Sequence, residues 1–413
     1  MQPAEIAVAE REIPAQQHER PWLFAFLNGP AAVFALGLVG GALSFLLRRE
    51  GVDSGHSASI VALLALPHSI YFLWGPITDF FFRRRTWLML SAAAGALTLL
   101  AAFSQPRLAS TTAIVLMFLG ACFVDIVVAA CGGMLGELKS EVNRRRAGSF
   151  YQSGSLAFGA IAVFALTLLA GRLSLHSLGL IVAAMMLAPA VFALAAPPQS
   201  MDSEHSPGET ARRFWTEFKQ TFLRWDAIPY TLLVTAPFCS GAMNGLLTGI
   251  ARDYGVTGQQ VAWINGLGGA FLTTAGALTV TLIPIRIRAP IAFLLAGLAN
   301  AAALAVLALG PLRPAIYFTG TVLNLFTIGA GYALFTGVVL EFLGGSGKSG
   351  SSRYAIINSL GNLPVAYMSW LDGRGAAHWG PRGEPGVDAI LSASAATILL
   401  AHFVFSRRRK QQS

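Results

Sequence analysis

The sequence has 413 residues, of which 54% are hydrophobic and only 12% charged, against roughly 25% charged in ordinary soluble domains. Together with a mean hydropathy of +0.60 this excludes a soluble enzyme, and the apolar residues gather in blocks of about 20, each long enough to cross a ~30 Å hydrocarbon core as a helix. The formal charge of +9 sits in short breaks between those blocks, where membrane topology accounts for it and nucleic-acid binding is not expected.

The polar residues 1–21 form an amino-terminal tail that lacks the apolar core and small-residue cleavage site of a removable signal peptide, so the first span is expected to do the targeting. Continuous apolar runs predict helices at 22–47, 57–78, 86–104, 110–135, 148–171 and 175–196. A polar break follows at 197–225, with Pro197-Pro198, Asp202, Glu204, Arg212, Arg213 and Lys219. It reads as a linker whose portion from Thr210 to Trp225 is amphipathic and suited to a membrane surface. Six further helices are predicted at 226–250, 259–283, 289–309, 313–342, 353–371 and 387–405, and a basic tail closes the chain at 406–413. The expected fold is therefore an all-α integral membrane protein of twelve transmembrane helices, arranged as two six-helix halves, 22–196 and 226–405.

With the amino terminus inside, one side of the membrane carries 21 Lys and Arg and the other 8, which orients both termini, and the linker, toward the cytosol. Cys122, Cys131 and Cys239 all lie in apolar blocks and read as small buried hydrophobes without metal-ligand spacing. A Walker-type phosphate loop is also missing, so neither a cofactor nor ATP is expected. Two halves joined by a cytosolic linker fit a rocker-type secondary transporter, with its site between the halves near the midplane.

At the junction of the second and third helices stands Phe72-Leu73-Trp74-Gly75-Pro76-Ile77-Thr78-Asp79, followed by Arg83-Arg84-Arg85-Thr86-Trp87. This resembles the loop signature of the major facilitator superfamily, a Gly, an Asp and a basic cluster after the second helix. The Trp-x-Pro-x-x-Asp form resembles the branch of muropeptide permeases, acetyl-CoA transporters and a group of siderophore permeases. Asp125-Ile126 is similar to that branch's Gln-Asp-Ile, although Val124 and Ala129 break its paired acidic pattern. Arg353-Tyr354-Ala355 and Asn358-Ser359-Leu360-Gly361 are similar to its eleventh helix. The resemblance implies a proton symporter of a bacterial inner membrane. Its compact length is closer to the siderophore permeases, hence to iron transport, than to the longer muropeptide permeases. It also implies that Gly75, Asp79, Arg83, Arg84 and Arg85 gate the cytosolic side, with charge-signalled topology as the plainer reading of the arginines. Export, or a non-transporting sensor on the same scaffold, are the alternatives.

Asp125 is the one carboxylate that lies well inside a predicted span, where a charge costs roughly 2.5–3.5 kcal/mol on insertion scales. It either carries the coupling proton or ties helices together. His68, three residues before Tyr71 and six before Trp74, is a second proton candidate or a packing residue. The polar residues Asn28, Tyr71, Trp74, Tyr151, Gln152, Asn244, Asn265, Asn324, Tyr332, Asn358 and Asn362 are candidates for the substrate site. Each has interhelical hydrogen bonding as its alternative. As a set they suit a large, partly apolar ligand. Glu341 and Arg353 flank a Gly- and Ser-rich loop and form a candidate second closure pair, while Pro284–Arg288 contains no acidic residue of its own. A small-molecule substrate, protons and the lipid bilayer are the expected partners, and the chain is expected to act as a monomer.

Overall fold

The computed structural model describes residues 19–79, 81–136, 138, 141–196, isolated positions between 208 and 222, and residues 225–284, 286–343, 356–357 and 359–412. Its first helix, α1 (Pro21–Arg49), opens on a proline, whose missing N–H is no loss at a helix start. A turn at Asn28 interrupts it, and from Val33 to Ala42 it runs as a π-helix. Helix α2 (Ser54–Leu73) starts on Asp53, whose carboxylate accepts the His56 N–H at 2.9 Å. It contains Pro67, leaves the α conformation after Ile70, and passes through single 3₁₀ turns at Tyr71–Leu73 and Gly75–Asp79. Helices α3 (Arg84–Phe103), α4 (Thr111–Gly136), α5 (Glu141–Leu169) and α6 (Leu175–Ala195) complete the first half.

The second half begins with a broken crossing, α7a (Ile228–Val234) and α7b (Ala242–Ile250). The predicted span 226–250 is thus interrupted over 235–241, where Pro237 removes a donor, Cys239 adopts φ 53° and Gly241 φ 85°. Helix α8 (Gly258–Thr279) is capped by a reciprocal Thr257–Gln260 box and is π-helical over Ala262–Leu267. Then come α9 (Ala289–Leu309), α10 (Pro314–Leu343), α11 (Leu363–Trp379) and α12 (Gly383–Gln412).

Among the described residues, ten continuous helical stretches are apolar and long enough to cross a bilayer. The last of them, Ser359–Phe403, folds back at Gly380 (φ 66°) into the antiparallel pair α11 and α12, and the broken α7 adds one more crossing, giving twelve. The last two helices depart from the predicted 353–371 and 387–405, because α11 runs on to Trp379 and α12 starts at Gly383. An apolar run stops at a charge, whereas here Asp372 and Glu384, outside the predicted runs, are carried inside the helices and buried, as is Asp388 at the edge of the last run.

With an even number of crossings, the start of α1 and the end of α12 lie at the same face, called here the termini face. Small residues let the helices meet. A Cβ on Gly37 would lie 2.4 Å from that of Ala162, and one on Gly159 2.7 Å from Leu36, so α1 and α5 touch along their backbones. At the opposite face the two halves are sealed together: Leu43, Leu46 and Leu47 of α1 share one buried apolar cluster with Leu246, Leu247 and Ile250 of α7b. Gly249 packs on Ser44, and Gly373 of α11 on Ala58 of α2. Arg48 crosses the same seam to pair with Asp253 at 3.0 Å and to donate to the Gly249 carbonyl at 3.3 Å.

Candidate functional site

Pro67 and the end of the α conformation at Ile70 place His68 in the last turn of α2, facing α4. Nδ1 of His68 is hydrogen-bonded to Oδ1 of Asp125. Asp125 is wholly buried, His68 is partly buried with 15% of its side chain exposed, and Phe34 from the π-helical part of α1 stands edge-on to the imidazole at 6.2 Å. His68 Nε2 and Asp125 Oδ2 are buried without a hydrogen-bond partner. A carboxyl and an imidazole in contact, shielded from water, are the chemistry that holds and releases a proton. Near a helix end carbonyls lose their intrahelical partners, and the His68 carbonyl accepts instead from Ser359 Oγ and Asn362 Nδ2, both at 3.4 Å. The pair in the first half is thereby joined to the second half.

The structure scatters the remaining predicted residues over several local arrangements. Asn28 donates to Ser155 Oγ at 2.7 Å, and Ser155 in turn donates to the Tyr151 carbonyl, so these hold α1 against α5, while Gln152 is exposed beside them. Tyr71 is buried in the 3₁₀ turn, and half-buried Trp74 keeps its indole N–H buried and unpartnered. In the second half Asn324 donates to Asn244 at 3.0 Å and accepts from Asn300 at 2.9 Å, with Asn300 also donating to Thr327. This amide ladder binds α7b, α9 and α10. Asn265 donates to the Tyr317 hydroxyl, which donates to the Leu247 carbonyl. Tyr332 is 38% exposed and stands at the break in α7: a Cβ on Gly241 would lie 2.2 Å from its hydroxyl oxygen. Tyr367 donates to the Thr235 carbonyl on the other side of that break at 2.8 Å. Asn358 and Arg353 lie outside the described residues.

At the termini face, Gly75 rests against Ala129 of α4, and Thr78 donates to its carbonyl at 2.9 Å. Asp79 closes that turn, and its side chain is outside the described atoms. Arg83 precedes α3 and is exposed, Arg85 follows in the first turn half-buried, and Arg84 donates to the Gly133 carbonyl at the end of α4 at 3.1 Å. Glu341 takes Arg288 and the Tyr230 hydroxyl as partners. The acidic partner missing from Pro284–Arg288 is therefore supplied by α10, 53 positions away in sequence. That contact pushes the already high pKa of Arg288 further up, chiefly through the hydrogen bond to Glu341.

Asn300, the break in α7 and three further buried carboxylates, Asp372, Glu384 and Asp388, escaped the sequence reading. Pro237 and Gly241 are a legible signal for the break. Asp372 and Glu384 fall between the predicted spans 353–371 and 387–405, and Asp388 stands at the very start of the latter.

The sequence matches the Major Facilitator Superfamily over residues 25–368. The chain belongs to the Major Facilitator Superfamily. As a member of that superfamily it is a membrane transporter and not an enzyme. Its fold is similar to that of a D-xylose-proton symporter (TM-score 0.70, 15% identity, covering 92% of this chain and 96% of that one). It is similar also to the nucleoside transporter NupG (TM-score 0.69, 12% identity, 93% and 98%) and to a POT family transporter in complex with 5-aminolevulinic acid (TM-score 0.70, 12% identity, 94% and 95%). Identities this low speak for the fold alone. No curated protein matches the chain.

Proposed function

We propose that this major facilitator protein is a proton-coupled secondary transporter of a bacterial cytoplasmic membrane, acting as a monomer by alternating access and importing a bulky organic solute. The observation that carries the proposal is the buried His68–Asp125 pair, whose His68 carbonyl is held by Ser359 and Asn362 of the other half. A change in its protonation acts on a contact that spans the two moving bodies. Support for the orientation comes from the Lys and Arg distribution, which puts the termini face in the cytosol. The structure is then closed toward the outside.

For the solute, the resemblance of the Trp-x-Pro-x-x-Asp segment and the lone Asp125, with Ala129 where the branch often carries a second acid, favour a ferric siderophore over an anhydro-muropeptide. The half-exposed Tyr332 at the α7 break and the amide of Asn244 offer an aromatic and a hydrogen-bonding contact to such a ligand. Uptake of labelled ferric siderophores and labelled anhydro-muropeptides into right-side-out vesicles, with and without an imposed inward proton gradient, tests the proposal. Accumulation of one class that a protonophore abolishes is expected. Accumulation insensitive to the protonophore removes proton coupling, and failure of both solutes to accumulate removes import in favour of an exporter or a sensor.

A further inference from the structure

The hairpin of α11 and α12 carries three carboxylic acids that the His68–Asp125 pair does not use. Gly375 packs directly on Gly383 and Val387, with a Cβ there falling 2.5 Å from the Gly383 carbonyl oxygen and 2.6 Å from Val387. Moving three residues back along α11, about 4.5 Å, puts Asp372 on the same face, level with Asp388, which follows Val387. Glu384, Asp388 and Ser392 recur at every fourth residue and so form one stripe along α12. Asp372, Glu384 and Asp388 are all essentially inaccessible to solvent. Asp388 accepts a hydrogen bond from Ser392 at 2.7 Å. Asp372 has no partner on either oxygen, Glu384 lacks one on Oε2, and the hydroxyl of Ser369, one turn deeper on α11, is buried and unpartnered as well.

The charged surroundings decide what such a site can hold. Asp372 is within electrostatic reach of Asp388 and Glu384, and Glu384 within reach of Arg48 and Asp253 at the seal between the halves. Arg48 already has its ionic partner in Asp253. At the mouth Tyr254 is within electrostatic reach of Arg382 and Glu384, and at the inner end Cys239 and Tyr367 come within reach of Asp388. Helix α9, packed on α12, has no titratable side chain, and the titratable residues at the start of α2, Asp53 and His56, are exposed. One shared arginine does not neutralise three further carboxylates in a dry interior. An ionised carboxylate without hydrogen-bond partners is too costly there, and it takes up a proton instead.

We propose that Asp372, Glu384 and Asp388 form a second proton-binding site, in the second half and beneath the Arg48–Asp253 pair, distinct from His68–Asp125. It holds protons whatever solute is carried, so its test needs none. Purified full-length protein in detergent, sodium-free and at neutral pH, is compared by infrared spectroscopy with Asp372→Asn, Glu384→Gln, Asp388→Asn and, as a control, Asp125→Asn. The expected result is that the carbonyl-stretch band of protonated carboxyl groups loses one group's intensity in Asp372→Asn or in one of the other two hairpin variants. An unchanged band in all three overturns the proposal. So does a band that disappears from the unaltered protein on addition of sodium, which assigns the site to a metal cation. If the variants do not fold, reaction of the unaltered protein with dicyclohexylcarbodiimide, which attacks protonated carboxyls, decides the matter. Adducts at one or more of Asp372, Glu384 and Asp388 are expected, because the reagent attacks only the protonated acid; absence of adducts at all three overturns the site.

Discussion

His68 and Asp125 each use one atom on the other and leave one buried and unused, Nε2 and Oδ2. The pair is therefore held together by a single hydrogen bond, with room for a second proton between its charge states. Asparagine at position 125 keeps the size of the side chain and an oxygen to accept from Nδ1, but it cannot take up or give up a proton. Asp125→Asn is accordingly expected to lower gradient-driven accumulation of the solute at least tenfold, the equivalent of losing about one pKa unit of coupling. Solute counterflow, which requires no net proton movement, should stay within about twofold of the unaltered protein. If accumulation and counterflow fall together at matched expression, Asp125 is a structural tie between α2 and α4 and not the coupling group. His68→Gln, which retains a donor near Asp125, should flatten the pH dependence of uptake, as read from initial rates across pH.

At the scale of elements, the break in α7 is the feature that positions the second half's part of the site. Gly241 sits at φ 85°, a conformation that costs a side chain roughly 1–2 kcal/mol, and its α-carbon faces the Tyr332 hydroxyl. Gly255 lies in the same left-handed region, at φ 74° and ψ 22°, but a Cβ there would make only an ordinary contact, 3.7 Å from Pro314. Gly241→Ala should therefore lower the melting temperature in detergent more than Gly255→Ala does. The difference reflects overpacking of about 1–3 kcal/mol. Tyr332→Phe added to Gly241→Ala should recover part of that difference, because it removes the oxygen in the way; equal losses at the two glycines would show that sterics at the break are unimportant. Of the first ten helices all but α7 were legible in the sequence as continuous apolar runs, because lipid exposure demands such runs and permits few charges; in α7 the run hid the break at 235–241. Helices α11 and α12 were only partly legible, since Asp372 and Glu384 resemble loop residues until a partner helix covers them. The partner of Arg288 could not be read at all: Glu341 reaches it through packing of α9 on α10, and no local pattern encodes that.

For the whole molecule, the seal at the face opposite the termini sets which side the site can reach. Most of that seal is apolar and formed from small residues, with Arg48 and Asp253 as its one described ion pair between the halves. Both side chains are partly solvated, at 22% and 23% exposure, so the pair belongs to the class contributing about 0.2–1 kcal/mol. That is enough to bias a two-state equilibrium but not to lock it. Arg48→Asp places two acids across the seam and should populate the state open to that face. In a background without native cysteines, Ser44→Cys reports the change, because Ser44 is buried against Gly249 in the seal. Its alkylation by an impermeant maleimide should rise by about twofold to fivefold in Arg48→Asp. Adding Asp253→Arg, which restores the pair with its charges exchanged, should return the rate toward the starting value. If the exchanged pair stays as reactive as Arg48→Asp alone, the seal is held by its glycine and leucine contacts, and the ion pair contributes nothing to the choice of state.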